Sequence, residues 1–222
     1  MPGMDNTAGD TPKGESRATP EQARAALHVP LTEEQIRAAQ LGALVALVGP
    51  IQIVDYDPEW PRLFEREAER VQDALGDRFL LLEHIGSTSV PGLAAKPKID
   101  MLLVVADSAD ELPYVPALEA AGYVLQVREP DWYQHRMFKG PDTDINLHVY
   151  SSGCPEIDRV LLFRNWLRSN APDRQLYERT KRELAGLDWK YMQNYADAKA
   201  TVVEEILARA QREAGERVRE DD

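Results

Sequence analysis

A short loop and a carboxylate carry the chemistry that this sequence offers most clearly. The loop Gly86-Ser87-Thr88-Ser89 follows an apolar stretch, and Asp100 opens the next one. Phosphoryl and nucleotidyl transfer require backbone donors that approach phosphate oxygens and carboxylates that hold a divalent metal near the phosphates. Gly86 lets the backbone come close, and the three hydroxyls that follow can contact phosphate. Together the two elements predict a phosphate-binding site with Asp100 as its catalytic residue.

Two lysines stand between the loop and the carboxylate. Lys96 and Lys98 lie among the twelve residues that separate Ser87 from Asp100. That separation suits a compact connection that brings the end of one strand beside the start of the next, so that loop and carboxylate face one pocket. Because cationic side chains offset phosphate charge, we expect both lysines to help bind a nucleotide there.

Hydrophobic periodicity predicts the elements that must position these residues. Apolar or alternating stretches predict strands over 79–85, 99–105, 123–127, 136–139 and 144–150. Helical spacing and capping signals predict helices over 32–49, 58–75, 108–121, 155–169, 172–184 and 189–214. Strands followed by a purely helical region indicate an α/β or α+β fold, in which helices flank a mixed sheet and a helical layer forms the C-terminal part.

Length and composition are typical of one globular domain with a tail. The chain has 222 residues, of which 43% are apolar, and this is enough for one substantial hydrophobic core. Residues 1–30 are rich in polar residues, glycine and proline, and they predict a disordered tail. We expect a helical extension over 31–50, one domain over 51–214 and a frayed charged tail over 215–222.

Charge and cysteine content argue against several classes of function. A net charge of −12 repels a phosphate backbone, which argues against a nucleic-acid partner. Cys154 is the single cysteine, so the chain has no intrachain disulfide, and with no base nearby in the sequence it is interpreted as a structural thiol. The sequence contains neither a long apolar run nor a leader-like N-terminus, and we expect a cytoplasmic protein without membrane segments.

Several segments together resemble the GrpB family. They are Tyr56-Asp57-Pro58-Glu59-Trp60, Glu83-His84-Ile85-Gly86-Ser87-Thr88-Ser89-Val90-Pro91-Gly92-Leu93, Lys96-Pro97-Lys98-Ile99-Asp100, Asn146-Leu147-His148-Val149-Tyr150 and Leu162-Phe163-Arg164-Asn165-Trp166-Leu167. The resemblance covers roughly residues 51 to 210. It implies a polymerase-β-like nucleotidyltransferase fold, whose signature is a Gly-Ser loop, an Asp-x-Asp pair on the next strand and a third acid on a later strand. Family members fused to dephospho-CoA kinase imply a link to coenzyme A biosynthesis enzymes.

The sequence departs from that signature at Leu102, which stands where the second acid belongs. His148 takes the place of the third acid on a strand whose alternate residues share one face, and either His84 or Glu83 on the first strand adds another ligand. A metal site of Asp100, His148 and His84 suits Zn²⁺, Mn²⁺ or Fe²⁺ better than Mg²⁺. The cofactors expected are a divalent metal, namely Mg²⁺, Mn²⁺ or Zn²⁺, and a nucleoside triphosphate.

The loop and the carboxylate also have structural interpretations. Gly86 can serve a tight turn, and the hydroxyls of Ser87 to Ser89 can cap the residues that follow. Asp100 can pair with Lys98, because a carboxylate beside an apolar strand requires a partner.

The histidines and arginines have similar alternatives. His84 and His148 can be hydrogen-bonded core histidines instead of metal ligands. His135 and Arg136 either line the same pocket or belong to a surface strand. Arg164 either contacts phosphate or lies on the solvated face of a helix.

Three functions follow from these alternatives. The first is transfer of a nucleotidyl group from a nucleoside triphosphate to a hydroxyl of a small molecule or protein. The second is a non-catalytic regulatory module that binds a nucleotide or a phosphorylated metabolite. The third is a metal-dependent hydrolase that uses a His/Asp site. No heptad pattern is sustained over three repeats, so the sequence predicts no particular oligomeric state.

Overall fold

The computed structural model describes residues 30–220, with side chains described as far as residue 216. The strands of this part of the chain are β1 (Leu81–Ile85), β2 (Ile99–Val105), β3 (Val124–Glu129), β4 (His135–Lys139) and β5 (Ile145–Ser151). Its helices are α1 (Glu33–Ala39), α2 (Trp60–Leu75), α3 (Val115–Ala120), α4 (Pro155–Ser169), α5 (Ala171–Ala185), α6 (Met192–Ala198) and α7 (Ala200–Glu220). A single 3-10 turn, Ser87–Ser89, follows β1.

The strands form one mixed sheet in the order β1-β2-β5-β4-β3. β2 and β5 pair in parallel, which sets Asp100 beside Asn146 and Leu102 beside His148. The other neighbouring strands pair antiparallel, and Ile85 at the end of β1 lies beside Asp100. The end of β1 and the starts of β2 and β5 therefore meet at one end of the sheet, where the predicted site residues lie.

Helices cover both faces of the sheet. α2 and α3 pack on one face in the main hydrophobic core, which includes Trp60, Leu75, Met101, Leu103, Leu118, Leu147 and Val149. On the other face, Leu102, Val104 and Tyr150 form a smaller apolar cluster with residues of α4, and Cys154 is buried in it. α4, α5 and α7 share a further cluster around Leu167, Tyr177 and Ile206. The predicted α+β fold, with a mixed sheet flanked by helices and a C-terminal helical layer, is confirmed.

The first helix is much shorter than the predicted span of 32–49. The expected capping box forms at Thr32, but the helix ends at Ala39. Leu41 then donates a backbone hydrogen bond of 2.8 Å to Gln126 of β3, and Gly42 adopts a left-handed φ of 99°. The segment leaves the helix because the open edge of β3 offers backbone partners and glycine takes the required conformation without a steric cost.

Two other predicted helices differ in extent. The span 108–121 is helical only from Val115 onward, because the Ser108 backbone is held instead by the Ser151 hydroxyl at 2.9 Å, and Pro113 disfavours a helical residue before it. The span 189–214 consists of two helices that are separated at Lys199.

The predicted terminal tails lie largely beyond the part of the chain that the structure describes. Residues 1–29 and 221–222 are outside it, and the backbone of residues 215–220 belongs to α7. Among the helices of the described residues, none combines the length and the apolar character needed to cross a membrane.

Candidate functional site

Asp100 lies at the centre of the site, near the start of β2. Its Oδ1 accepts a hydrogen bond of 2.8 Å from the Asn146 amide and lies 3.9 Å from Nε2 of His148. Burial raises the pKa of Asp100, but the hydrogen bonding and charge of His148 and the Asn146 amide outweigh it, so that the pKa lies below its ordinary value. Asp100 is thus an ionised carboxylate at neutral pH, with 31% of its side chain exposed.

Gly86 packs directly against this carboxylate. Its φ of 68° lies in the region that favours glycine, and a Cβ at this position would lie 2.6 Å from Oδ2 of Asp100. The expected role of Gly86 was to let the backbone approach phosphate. In the structure, the space that a side chain would fill at Gly86 is taken by Asp100, so the glycine allows the loop and the carboxylate to be neighbours.

The three hydroxyls of the loop have different surroundings. Ser87 lines the cavities on both sides of Asp100. The Thr88 hydroxyl donates to the Lys98 carbonyl at 3.2 Å, and the Ser89 hydroxyl donates to the Gly86 carbonyl at 2.6 Å. Thr88 and Ser89 are almost completely buried, so their hydroxyls stabilise the loop, while Ser87 is available to a ligand.

His84 does not join Asp100 and His148. Successive residues of a strand point to opposite faces, and His84 stacks on Phe64 of α2 with ring centroids 4.8 Å apart. Its Nε2 hydrogen-bonds to the Thr88 hydroxyl at 3.1 Å, and burial lowers the pKa of His84 to about 4. The expected three-ligand metal site is not assembled, and no cluster of three or more His, Cys, Asp or Glu side chains arranged for a metal occurs within the described residues.

Positive charge is concentrated in a cavity of about 680 Å³ beside Asp100. Five of the seven lysines in the chain line it, namely Lys96, Lys98, Lys139, Lys181 and Lys199. Glu129 and Asp100 are the carboxylates of the lining. The sequence prediction included Lys96 and Lys98. It missed the other three, which come from β4, α5 and the junction of α6 and α7.

The lysines of this cavity, which we call the lysine cavity, repel one another and are partly shielded from water. Burial, and then the charges of Lys199 and Lys98, lower the pKa of Lys96 to about 8. Burial, and then the hydrogen bond and charge of Lys98, lower the pKa of Lys139 to about 8. Burial lowers the pKa of Lys181 to about 7 and also lowers that of Lys199. A bound anion would relieve this repulsion and favour the charged form of each lysine.

Two hydrogen bonds link Lys139 to Asp100 through Asn146. Lys139 donates to the Asn146 side-chain oxygen at 2.5 Å, and the Asn146 amide donates to Asp100. Lys98 forms an ion pair with Asp144 at the rim. Asn146 is therefore fixed in orientation by a donor on one side and an acceptor on the other.

A second chain of hydrogen bonds reaches His148 from the opposite side. Nδ1 of His135 lies 2.6 Å from a Glu129 oxygen, and its Nε2 lies 3.0 Å from Nδ1 of His148. Burial lowers the pKa of His135 to about 4, so its ring is neutral at pH 7. The carboxylate only accepts, which assigns the proton of His135 to Nδ1 and makes its Nε2 an acceptor for His148 Nδ1–H. Nδ1 of His148 therefore donates to His135, and Nε2 of His148 is the ring nitrogen that faces Asp100.

A second cavity, of about 530 Å³, lies on the other side of Asp100 and His148. We call it the aromatic cavity, because its lining includes Trp132, Tyr150, Phe163 and Tyr177. The two cavities share Ser87, Asp100, His135 and His148 among their lining residues, so they meet at the ionised carboxylate. No local pattern in the sequence joins these four aromatic residues, which lie on a turn, a strand and two helices.

Comparison with known proteins assigns the family. The family model described as GrpB protein matches residues 50–209, which is well over half of the chain. The chain belongs to the GrpB family. A UPF0157 protein of Halalkalibacterium halodurans is 58% identical over 181 residues, which make up 82% of this chain and 93% of that protein. The crystal structure of conserved protein GrpB from Enterococcus faecalis covers 73% of this chain and 99% of its own, with 33% identity and a TM-score of 0.65.

A more distant GrpB-like region occurs in a longer protein. A protein named dephospho-CoA kinase from Mycolicibacterium paratuberculosis is 33% identical over an alignment that covers 60% of this chain and 39% of that protein. The similarity therefore concerns a part of that protein.

The surroundings of Leu102 explain why β2 of this GrpB-family chain lacks the second acid of the Asp-x-Asp pair. Leu102 is completely buried in the apolar cluster with Val104 and Tyr150, beneath α4. A carboxylate at this position would be taken out of water without a partner, at a cost of several kcal/mol, roughly. Asp100 is therefore the acid that β2 contributes to the site.

Two arginines that the sequence placed near the site are held by structural contacts. Arg136 is buried and donates to Glu111 at 2.6 Å. Arg164 lines the aromatic cavity, where it donates to Glu83 at 2.7 Å and to the His84 carbonyl at 2.8 Å. Arg164 thus ties α4 to β1 and holds the wall of the aromatic cavity in place.

Proposed function

We propose that this GrpB-family protein binds a nucleotide or another phosphorylated small molecule, with the phosphates in the lysine cavity. The observation that carries the proposal is the convergence of five of seven lysines on one cavity in a chain of net charge −12. Outside this cavity the charge excess is negative, which disfavours a long polyanion such as nucleic acid. A small phosphate ester can enter the cavity and be surrounded by cationic groups.

The junction of the two cavities, at Asp100 and His148, offers two protein ligands to one divalent ion. Oδ1 of Asp100 and Nε2 of His148 lie 3.9 Å apart and could hold one ion together with phosphate oxygens. When bound, that ion would offset phosphate charge next to the carboxylate. The two-metal arrangement of the nucleotidyltransferase signature does not fit, because Leu102 occupies the position of its second acid.

We further propose nucleotidyl transfer as the reaction that this site would serve, with Asp100 at the reacting phosphate and Ser87 beside it. The lysines would bind the leaving phosphates, and the rigid loop at Gly86 would hold Asp100 in place. The alternative is binding without transfer, as a regulatory module. The buried Leu102 favours this alternative, and the similarity to part of a dephospho-CoA kinase suggests coenzyme A biosynthesis as the setting.

The binding proposal is tested by calorimetric titration with tripolyphosphate and with nucleoside triphosphates, each with and without Mg²⁺. Lys139→Gln and Lys199→Gln remove cavity charges, and each should weaken tripolyphosphate binding by about 10-fold, since a hydrogen bond to a charged group contributes ~1.5–3 kcal/mol. Lys190→Gln is the matched control, because Lys190 is 63% exposed and lies outside the cavity. Equal affinities in all three variants and the wild type would refute the assignment of the phosphates to this cavity.

Transfer is tested separately by measuring pyrophosphate release and incorporation of label from α-labelled nucleotides, with wild type and Asp100→Asn. Release that is lost in Asp100→Asn, with folding retained, supports the transferase. Tight nucleotide binding without release by the wild type supports the regulatory alternative.

A further inference from the structure

The described lining of the aromatic cavity contains no lysine, yet this cavity opens onto the same carboxylate as the lysine cavity. We infer that it binds the planar ring of the ligand whose phosphates lie among the lysines, so that one nucleotide spans both cavities across Asp100. This inference rests on the proposed function, and it specifies the part of the ligand that the aromatic cavity recognises. Each cavity lies within the range of about 300–1,000 Å³ that is usual for ligand pockets.

Four rings form the walls of this cavity. Trp132 stands edge-on to Tyr150, with centroids 5.9 Å apart and an interplanar angle of 72°. Phe163 and Tyr177 pack edge-on to each other at 5.1 Å on the helical side. Edge-on packing holds these side chains rigidly, and rigid aromatic walls favour a planar, apolar guest over a flexible polar one.

The turn that carries Trp132 is strained. Tyr133 and Gln134 follow it with φ angles of 52° and 53°, and they are the non-glycine residues of the described chain that have positive φ. Two such residues in succession are costly for the backbone, and strain of this kind clusters at ligand-binding positions. Glycine or asparagine would let the turn between β3 and β4 adopt a relaxed geometry. The presence of Tyr133 and Gln134 instead points to a constraint on the side chains that this turn presents.

Buried donors hold the turn in this conformation. The Gln134 carbonyl accepts hydrogen bonds from the Ser108 hydroxyl at 2.9 Å and from the Arg136 guanidinium at 2.8 Å. The His135 backbone donates to the Trp132 carbonyl at 3.1 Å. Since Ser108 and Arg136 are themselves buried, the surrounding structure fixes Trp132 at the cavity.

The position of the junction explains why one molecule is expected in both cavities. Asp100, His148 and Ser87 line both, so a group bound between the rings and the lysines lies against the carboxylate. In a nucleotide, the sugar and the first phosphate separate the ring from the remaining phosphates. The ring of a nucleotide would thus lie in the aromatic cavity, its sugar and first phosphate at the shared residues, and its remaining phosphates in the lysine cavity.

The test compares ligands with and without a ring. The four ribonucleoside triphosphates and tripolyphosphate are titrated against wild type, Trp132→Leu and Trp132→Phe, with affinity and tryptophan fluorescence as readouts. At least one nucleotide should quench Trp132 fluorescence, and tripolyphosphate should not. If the base stacks on Trp132, Trp132→Leu should lower the affinity for that nucleotide by about 10-fold. Tripolyphosphate should bind the variant as it binds the wild type, and Trp132→Phe should restore most of the nucleotide affinity.

Three outcomes would overturn the inference or its basis, and they can be told apart. If nucleotides and tripolyphosphate bind with equal affinity and Trp132→Leu changes neither, the ring lies elsewhere. A second experiment adds the nucleoside, which lacks phosphates, to protein that is already saturated with the corresponding triphosphate. If the nucleoside still binds and quenches Trp132 fluorescence, the aromatic cavity takes a separate molecule. If neither nucleotides nor tripolyphosphate bind, the proposed function itself fails.

Discussion

The two faces of the sheet use the same strands for opposite purposes. On one face, Met101, Leu103 and Leu147 are fully buried against α2 and α3. On the other face, the alternate positions Asp100, Asn146 and His148 form a polar network at an open cavity. The difference shows how a strand with period-2 alternation combines a stable core with a reactive surface. The core face supplies stability, and the cavity face contains the groups whose charge costs free energy until a ligand binds.

The sharpest way to separate the faces is a truncation in the core. Leu103→Ala should lower the free energy of unfolding by about 2–5 kcal/mol, because it removes buried methyl groups and leaves a cavity. Ligand affinity of the folded fraction should stay as in the wild type. Urea denaturation and calorimetry at low temperature measure the two quantities. A loss of affinity without a loss of stability would show that the faces are not separable in this way.

Acid should destabilise the protein through one buried histidine on each face. His84 and His135 have pKa values of about 4, below the value of about 6.5 of an unfolded chain. The folded state thus binds fewer protons than the unfolded state between pH 6.5 and 4, so stability is complete above pH 6.5 and falls as the pH drops to 4. The loss should be about 2–3 kcal/mol for each histidine.

His84→Gln and His135→Gln distinguish the two contributions. Each variant should lose its own part of the pH dependence in urea denaturation at pH 7, 5.5 and 4.5. An unchanged slope in both variants would assign the acid sensitivity to other groups.

Gly86→Ala tests the close contact between Gly86 and the Asp100 carboxylate on the cavity face. The new methyl group would lie 2.6 Å from Oδ2 of Asp100, at a φ of 68°. We expect a loss of about 1–3 kcal/mol in stability, together with displaced Asp100 and weaker ligand binding. In Gly86→Ala combined with Asp100→Ala, the carboxylate is gone, so the two effects on stability should be less than additive. Strict additivity would contradict the proposed clash.

Alkaline pH should act through the lysines of the cavity face. Lys96, Lys139 and Lys181 have pKa values of about 7 to 8, so they lose charge as the pH rises from 7 to 9. Tripolyphosphate affinity should fall by about 10-fold or more over that range, because each charged hydrogen bond contributes ~1.5–3 kcal/mol. These folded pKa values lie below those of the unfolded chain, so the same rise in pH should stabilise the ligand-free protein. Calorimetry at pH 7, 8 and 9 tests both signs, and constant affinity would contradict the assignment.

The core face was the easier part to predict from the sequence. The spans Ile99–Val105 and Pro155–Ser169 are observed as predicted, because each has a strong apolar pattern and a clear boundary signal. The predicted helix over 32–49 was wrong beyond Ala39, since the edge of β3 captures the segment through backbone contacts that no local pattern reveals.

The cavity face was predicted only where its residues are close in sequence. Gly86 and Asp100 were expected to be neighbours and are, but the loop hydroxyls of Thr88 and Ser89 serve the loop. Lys181 looks like a residue of a solvated helical face, yet it is buried over the Tyr177 ring. Its role depends on how α5 packs against the loop after β1, which requires tertiary structure.

The parallel pairing of β2 with β5 has a consequence for how the protein acquires this site. The Asp100–Asn146 hydrogen bond joins residues that are 46 positions apart, with α3, β3 and β4 between them. Closing a loop of that length costs chain entropy before any contact compensates for it, and such long-range pairing slows folding. The lysines of β4, α5 and the α6–α7 junction reach Asp100 only after these later segments have docked. A nascent chain that stops before β5 therefore has the carboxylate without its partners, and the chemistry of the site belongs to the completed fold alone.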